Sequence, residues 1–163
     1  MSETLTGRSR VEADATARGL DIEIVERFAA TSLEEAASIL GISPGDIVKA
    51  LVVKRSDDTF LFALVPGDRQ IAWAKLRAIV GVNKLQLPSA DVALENTGYE
   101  RGTITPLGST TAWPIFADER IVGKRISLGA GEHGLSLFIE ADDLIAAYGA
   151  TVADITDELQ PRD

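Results

Sequence analysis

A glycine-rich segment in the second half of the chain has the residue types that can hold a carbonyl group. Residues 98–108 have the sequence GYERGTITPLG, in which Gly98, Gly102 and Gly108 allow backbone angles closed to other residues and Pro106 stiffens the turn. A rigid loop with a bare backbone can direct N–H groups at a carbonyl oxygen, as an oxyanion hole does. On spacing alone, the ordinary interpretation is a tight connection between two strands.

Two literal matches to known motifs are rejected because their context is wrong. Residues 41–45 spell the G-x-S-x-G of a nucleophile elbow, which needs a strand before the serine and a helix after it. Here a predicted helix precedes Ser43 and a predicted strand follows, so Ser43 belongs to a helix-ending turn.

Residues 129–134 spell G-x-G-x-x-G, which binds a dinucleotide only when a helix starts directly after it. The apolar residues 135–139 predict a strand instead, and the glycines therefore shape a hairpin loop.

Metal and triad chemistry have few candidate residues. The chain contains one histidine, His133, and no cysteine, which excludes disulfides, thiolate metal sites and cysteine nucleophiles. The paired carboxylates at 57–58 and 142–143 are typical of a turn and of a helix start. A Ser-His-Asp triad would have to use His133, and no segment presents the expected nucleophile context. We therefore predict no metal site.

Length and charge indicate a single domain without a broad nucleic-acid surface. The chain has 163 residues, of which 45% are apolar, and a formal net charge of −9. A negatively charged protein is not expected to bind long stretches of phosphate backbone, but it can still bind a single-stranded terminus through a few local cations. The polar N-terminus predicts no signal peptide, and no apolar run is long enough to cross a bilayer. We therefore expect a cytoplasmic protein that does not bind membranes.

The elements that must position these residues are predicted from hydrophobic periodicity and capping signals. Ser32 and Glu35 form a capping box at the start of one helix, and Ser89 caps another. Residues 1–9 are predicted to be a flexible tail and residues 10–158 a single α+β domain around a curved mixed sheet. The predicted helices cover residues 10–18, 32–41, 71–80, 89–97 and 141–148. The predicted strands cover residues 22–25, 47–54, 59–65, 114–117, 125–128 and 135–140, and a short final element covers 152–155.

The glycine-rich segment and one strand together carry a family resemblance. The pattern GYxxGxxxPLG, downstream of the strand IVKALVV at 47–53, resembles the YbaK/prolyl-tRNA synthetase-associated editing domains. The resemblance extends from the helix at Ser32 through Ile155 and includes LVPGD at 64–68. It also includes the hairpin at 129–135 that is followed by ADDL at 141–144. The strand lysine and the Gly-x-x-x-Pro loop are specific in combination, although either one alone is a weak signal.

The resemblance implies a fold and an activity. The fold is a mixed sheet, partly closed like a barrel and flanked by helices. The activity is that of a free-standing aminoacyl-tRNA deacylase, which hydrolyses the ester between a mischarged small amino acid and tRNA, commonly tRNA for proline. Members of the family need no metal or organic cofactor. The implied partners are the acceptor 3′ end of mischarged tRNA and prolyl-tRNA synthetase.

The resemblance also assigns a catalytic set. The family lysine corresponds to Lys49, and the loop glycine and proline correspond to Gly102 and Pro106, with Thr103 standing where many relatives have a second glycine. Lys49 is expected to bind the terminal phosphate or ribose of the tRNA, because an ammonium inside an apolar strand needs a fixed partner. Its alternative is a surface lysine. The loop is expected to polarise the ester carbonyl, and water, assisted by the ribose hydroxyl of the terminal adenosine, is the nucleophile.

A second set is expected to bind the amino acid. Relatives that clear cysteine commonly carry a serine and an aspartate near the late hairpin, where this chain has Gly129 and Ser136. His133 lies where alanine-clearing relatives often have a histidine, and an exposed loop histidine is an equally good interpretation. We therefore predict alanine, ahead of serine or threonine, as the amino acid removed. The substrate-binding set is His133, Gly129, Ser136, Ala50 and Tyr99.

Two other functions fit the same residues. One is a catalytically inactive regulatory module that binds tRNA or a synthetase on the same fold, because a fold alone does not decide activity. The other is a metal-free hydrolase that acts on a different small ester. The presence of Lys49, Gly102 and Pro106 together favours the deacylase, since an inactive module would be free to lose them.

Overall fold

Helices alternate with short strands in the computed structural model, which describes residues 6–26 and 32–159. The described helices are α1 (Gly7–Arg18), α2 (Leu33–Leu40), α3 (Trp73–Val80), α4 (Ala90–Thr97) and α5 (Ala141–Tyr148). The described strands are β1 (Glu23–Glu26), β2 (Val48–Arg55), β3 (Phe60–Pro66), β4 (Arg69–Ile71), β5 (Leu85–Gln86), β6 (Ile115–Asp118), β7 (Arg125–Gly129), β8 (Leu135–Glu140), β9 (Thr151–Ala153) and β10 (Thr156–Glu158). No helix in these ranges is long and apolar enough to cross a membrane.

Local capping signals set the helix ends. The Ser32 side chain accepts a hydrogen bond from the N–H of Glu35, and Gly41 ends α2 in the left-handed conformation, as predicted. The first helix differs from the prediction. Thr6 caps it by accepting from the N–H of Ser9, so α1 begins at Gly7 and not at residue 10. The predicted tail is therefore helical from residue 7, and its residues 1–5 lie outside the described part.

The larger sheet is mixed and has the strand order β5-β2-β3-β6-β9. Strands β2 and β3 form the predicted antiparallel hairpin, in register from Val48 opposite Pro66 to Lys54 opposite Phe60. Strand β3 is buried along its whole length because it lies at the centre of the sheet. It pairs in parallel with β6, which pairs in parallel with β9. This arrangement confirms the predicted α+β class and its mixed sheet.

The smaller sheets complete the domain. Strands β1, β8 and β7 form an antiparallel sheet, and β10 pairs with β4. Residues 130–134 connect β7 to β8, which confirms that the G-x-G-x-x-G match is a hairpin loop. Strands β4 and β10 have three residues each, too few for the hydrophobic pattern to predict them. Because residue 71 belongs to β4, the helix expected from residue 71 begins at Trp73. Of the final element expected at 152–155, residues 152 and 153 belong to β9, and residues 154 and 155 connect β9 to β10.

The expected partial closure into a barrel is not confirmed. Among the described residues, none of the three sheets closes on itself. The two larger sheets are joined by a single parallel bridge between Ile47 and Ser127. Because the ladder between β2 and β7 stops after that bridge, the two strands diverge beyond it.

The core consists of two clusters on opposite faces of the larger sheet. Val48, Ala50 and Val52 of β2 belong to the first cluster, together with side chains of β7 and β8 such as Leu128. Val53 belongs to the second cluster, which packs against α3. Alternate residues of a strand point to opposite faces, so β2 contributes to both clusters.

Candidate functional site

A cavity of about 590 Å³ lies where β2 and β7 diverge. Its walls come from β2, from the connection between β5 and α4, from β7 and β8, and from residues 98–108, here called the glycine loop. The lining residues are Ile47, Val48, Lys49, Ala50, Leu51, Val52, Leu87, Pro88, Ala90, Ala93, Arg101, Gly102, Ile104, Ser127, Leu128, Gly129 and Ser136.

One side of this cavity is polar because of strand register. Ile47 and Ser127 form a β-bridge, and bridged residues place their side chains on the same face. By alternation along the two strands, Lys49 shares that face with Gly129. Ser136 lies on it too, since Ser136 pairs with Gly129 across the β7–β8 hairpin. The register therefore brings Lys49, Gly129 and Ser136, which were predicted from distant parts of the sequence, to one cavity.

The other side of the cavity is apolar. Ala50 and Leu128 lie on the opposite face of their strands, where they belong to the first core cluster. Ala93 of α4 also belongs to this cluster and lines the cavity. Small side chains at 50 and 93 leave room for a small apolar group. Ala50 is thus at the cavity, as predicted.

Gly129 allows the glycine loop to approach β7. A Cβ atom at position 129 would lie 2.6 Å from the Ile104 carbonyl oxygen and 3.1 Å from that of Thr103. These are backbone atoms, so only glycine permits this approach. The N–H of Gly131 also donates to the Thr103 carbonyl at 3.0 Å. The β7–β8 hairpin therefore fixes the distance between the glycine loop and β7.

The backbone of the glycine loop presents free donors. Gly102 has a φ of +91°, a left-handed angle that favours glycine. The Thr103 N–H and hydroxyl both donate to the Glu100 carbonyl, at 3.0 and 2.7 Å. Within the described ranges, the N–H groups of Gly102 and Ile104 have no hydrogen-bond partner, and both residues line the cavity. Two unpartnered N–H groups at a cavity wall can stabilise a developing oxyanion.

Lys49 is half-buried, and its ammonium donates one hydrogen bond within the protein. Its Nζ donates to the Arg69 carbonyl at 3.0 Å, so the ammonium has one neutral acceptor within the protein. Burial lowers the pKa of Lys49, and the nearby Asp68 carboxylate opposes this shift. An ammonium has three donors, and the Arg69 carbonyl occupies one of them. The others are available for an anion or hydroxyl at the cavity.

Three of the predicted residues lie behind the cavity wall. Thr103 and Pro106 are buried within the glycine loop, and neither lines the cavity. Tyr99 is 1% exposed, and its hydroxyl donates to the Leu107 carbonyl at 2.6 Å. Burial raises the pKa of Tyr99 to about 12, so its hydroxyl stays protonated at neutral pH. These residues contact other residues of the glycine loop and residues that pack against it.

His133 lies beside the glycine loop without lining the cavity. The side chain is exposed, and Nε2 is 2.9 Å from a carboxylate oxygen of Glu100. Its Cε1 atom is 3.9 Å from the place where a Gly102 Cβ would stand. The histidine thus joins the hairpin to the loop. Across the described ranges, no cluster of three or more His, Asp or Glu residues could hold a metal ion.

The sequence prediction missed Ser127 and Arg101. Ser127 is 1% exposed, and it lines the cavity. The available signal was a serine between Ile126 and Leu128 in an otherwise apolar strand. Arg101 is exposed at the cavity beside Gly102. With Lys49, it gives this acidic protein local positive charge at the site.

Comparisons with known proteins agree on one family. The sequence profile of the aminoacyl-tRNA editing domain matches residues 29–147. Proline–tRNA ligase of Bacillus velezensis is 32% identical over 122 residues, or 72% of this chain. EbsC of Enterococcus faecalis, a proposed Cys-tRNA(Pro)/Cys-tRNA(Cys) deacylase, is 28% identical over 126 residues, or 77% of this chain and 77% of EbsC.

Solved structures extend the similarity to nearly the whole chain. The crystal structure of a proposed trans-editing enzyme for prolyl-tRNA synthetase has a TM-score of 0.85 and 28% identity. The match covers 95% of this chain and 99% of that one. By contrast, the chain spans 18% and 21% of the lengths of the ligases of Bacillus licheniformis and Bacillus velezensis.

Proposed function

Because the chain belongs to the aminoacyl-tRNA editing domain family, we propose that it is an aminoacyl-tRNA deacylase that removes a mischarged small amino acid from tRNA for proline. It acts in trans on the acceptor 3′ end, in the cytoplasm, without a metal, and prolyl-tRNA synthetase is a candidate partner. The observation that carries the proposal is the pair of unpartnered N–H groups of Gly102 and Ile104, within the described ranges, at a cavity whose polar side contains Lys49.

The proposed reaction is hydrolysis of an ester at the glycine loop. The ester carbonyl oxygen accepts hydrogen bonds from the N–H groups of Gly102 and Ile104, which stabilise the negative charge that develops as water adds to the carbonyl carbon. The bond between that carbon and the ribose oxygen then breaks. One proton of the water goes to the ribose oxygen and the other to solvent, so the amino acid leaves as its carboxylate. A ribose hydroxyl of the terminal adenosine assists the water.

Substrate placement follows from the two sides of the cavity. The small side chains of Ala50 and Ala93 receive the amino-acid side chain, and Lys49 binds the terminal phosphate or ribose. An ordinary synthetase pocket rejects smaller or isosteric amino acids by only about 1–3 kcal/mol, so a second site that excludes larger residues by steric clash improves accuracy. This arrangement favours alanine.

We expect the purified protein to deacylate alanyl-tRNA for proline faster than the seryl and cysteinyl esters, and to spare the prolyl ester. The experiment compares initial rates on tRNA for proline charged with alanine, serine, cysteine or proline. Fastest clearance of cysteine, the substrate named for EbsC, would disprove the alanine preference. Clearance of the correct prolyl ester at a similar rate would remove the editing role. Binding of these tRNAs without hydrolysis would favour the inactive regulatory module.

We expect Ser127→Ala to lower deacylation about 10-fold with little change in stability. Ser127 lines the cavity on the face of β7 that it shares with Gly129, so its hydroxyl is placed to donate to or accept from a bound substrate group. A hydrogen bond to a charged group, such as the substrate ammonium, contributes about 1.5–3 kcal/mol. Rates at subsaturating substrate measure the effect.

Ser109→Ala is the matched control for this substitution. The Ser109 hydroxyl is buried without a partner among the described residues, and Ser109 does not line the cavity. Equal deacylation by wild type and the Ser127 variant, or an equal loss in both variants, would exclude substrate contact by Ser127.

A further inference from the structure

The first helix, which precedes the residues matched by the family profile, is bound to both ends of the glycine loop. The Arg10 guanidinium donates to the Gly108 carbonyl from Nε at 3.1 Å and from Nη2 at 2.8 Å. It also donates to the Gly98 carbonyl from Nη1 at 3.2 Å and to that of Thr97 from Nη2 at 3.0 Å. The same group lies over the Tyr99 ring, 4.4 Å from its centroid. One side chain thus joins the first and last residues of the loop.

Asp14, one helical turn further, makes a second connection. Its Oδ2 accepts from the N–H of Gly108 at 2.9 Å and from the hydroxyl of Tyr148 in α5. Arg18 pairs with the other carboxylate oxygen at 3.0 Å. Although burial raises it, these hydrogen bonds bring the pKa of Asp14 below its ordinary value. Asp14 therefore stays ionised at neutral pH and holds α1, the loop and α5 together.

Both ends of the loop lack room for a side chain at these contacts. A Cβ at Gly108 would lie 2.7 Å from the Arg10 carbonyl oxygen, and one at Gly98 would lie 2.5 Å from the Arg10 guanidinium. The φ angles of Gly98 and Gly108 are +80° and +73°. Glycine has the greatest backbone freedom of any residue, so the loop ends on two potential hinges. The contacts with α1 fix both hinges.

We propose that Arg10 and Asp14 are positioning residues that clamp the ends of the glycine loop, so that the N–H groups of Gly102 and Ile104 keep a fixed aim at the cavity. The inference rests on the proposed deacylase function. An oxyanion hole is effective only when its donors are fixed before the reaction, and a misplacement of about 1 Å can lower a rate about 100-fold. Neither residue touches the substrate.

The central test is Arg10→Ala, with Arg8→Ala as its control. Both substitutions remove an arginine from α1, but within the described ranges the Arg8 side chain pairs only with Glu12, on the surface of the same helix. We expect Arg10→Ala to lower kcat on the best aminoacyl ester about 10- to 100-fold, with KM changed less than about 2-fold, because the transition state and not substrate binding depends on the donors. Arg8→Ala should keep the wild-type values. Arg10→Lys provides the same test if the alanine variant does not fold, since lysine lacks the planar fork that reaches both loop ends.

Hydrogen exchange gives a readout that does not depend on catalysis. We expect faster amide exchange in residues 98–108 of the Arg10→Ala variant, with unchanged exchange in the buried strand β3. Unchanged kcat in a folded Arg10 variant, or exchange that rises equally in both segments, would overturn the clamp. If wild type hydrolyses none of the esters, the proposed function fails, and the exchange data alone then decide whether Arg10 holds the loop.

Discussion

Lys49→Ala is expected to lower deacylation by about 100-fold or more while the protein remains folded. The ammonium is held by the Arg69 carbonyl on the polar side of the cavity, beside the loop that is proposed to hold the ester. Removing a preorganised donor from a catalytic site costs about 10²–10³ in kcat. A half-buried lysine contributes less to the core than an apolar residue, because burial of its charge is unfavourable. Initial rates on the best ester and thermal unfolding measure the two effects.

Lys54→Ala is the control on the same strand. Lys54 pairs with the exposed carboxylate of Asp58 at 3.3 Å, and it does not line the cavity. Exposed ion pairs contribute about 1 kcal/mol or less, so this variant should keep wild-type activity. Similar rates for the Lys49 variant and wild type would remove Lys49 from the mechanism.

Gly102→Ala is expected to reduce turnover about 100-fold and to cost only about 1–3 kcal/mol of stability. The methyl group itself has room, because the nearest atom is the His133 Cε1 at 3.9 Å. The backbone angle is the obstacle, since a φ of +91° is strained for alanine. Relief of this strain turns the peptide groups on either side of the residue and moves the Gly102 N–H from the cavity. Single-turnover rates and chemical denaturation test the prediction.

Gly81→Ala separates backbone strain from function. Gly81 has a φ of +81° and ends α3, and no atom lies within 4 Å of the place where its Cβ would stand, so its substitution brings a similar strain at a remote site. Both variants should lose similar stability, and only the Gly102 variant should lose turnover. Equal turnover in the two variants would contradict the oxyanion assignment.

The sequence predicted those parts of the fold that depend on neighbouring residues. The helix at Ala141–Tyr148 and the strand at Leu135–Glu140 have the predicted bounds, because periodicity and turn residues are local signals. Partial barrel closure was not confirmed, because closure depends on how far β2 and β7 pair, and within the described ranges only Ile47 and Ser127 form a bridge there. Strands β4 and β10 were missed since three residues carry too little alternation.

The candidate site was predictable only where a motif marked it. The family comparisons confirm the resemblance based on Lys49 and the glycine loop, and the structure brings both to one cavity. Ser127 was missed because a single serine does not interrupt the apolar pattern of β7. Arg10 and Asp14 were missed for a different reason. Their partners are backbone groups near residues 98 and 108, and no sequence pattern marks contacts over such separations. The catalytic roles themselves remain predictions.

The single bridge between the two larger sheets makes the site adjustable. A continuous ladder of hydrogen bonds would set the spacing of β2 and β7 at one value, whereas here the strands form an open seam after Ile47 and Ser127. Side chains that line the cavity at this seam, such as Ala50 of β2 and Ala93 of α4, then determine the width of the cavity. For the proposed deacylase, we expect substitutions there to alter the size of the amino acid that is admitted without breaking the hydrogen bonds of either sheet. Specificity for a different amino acid could then evolve by changes at the seam, while the proposed catalytic residues stay in place.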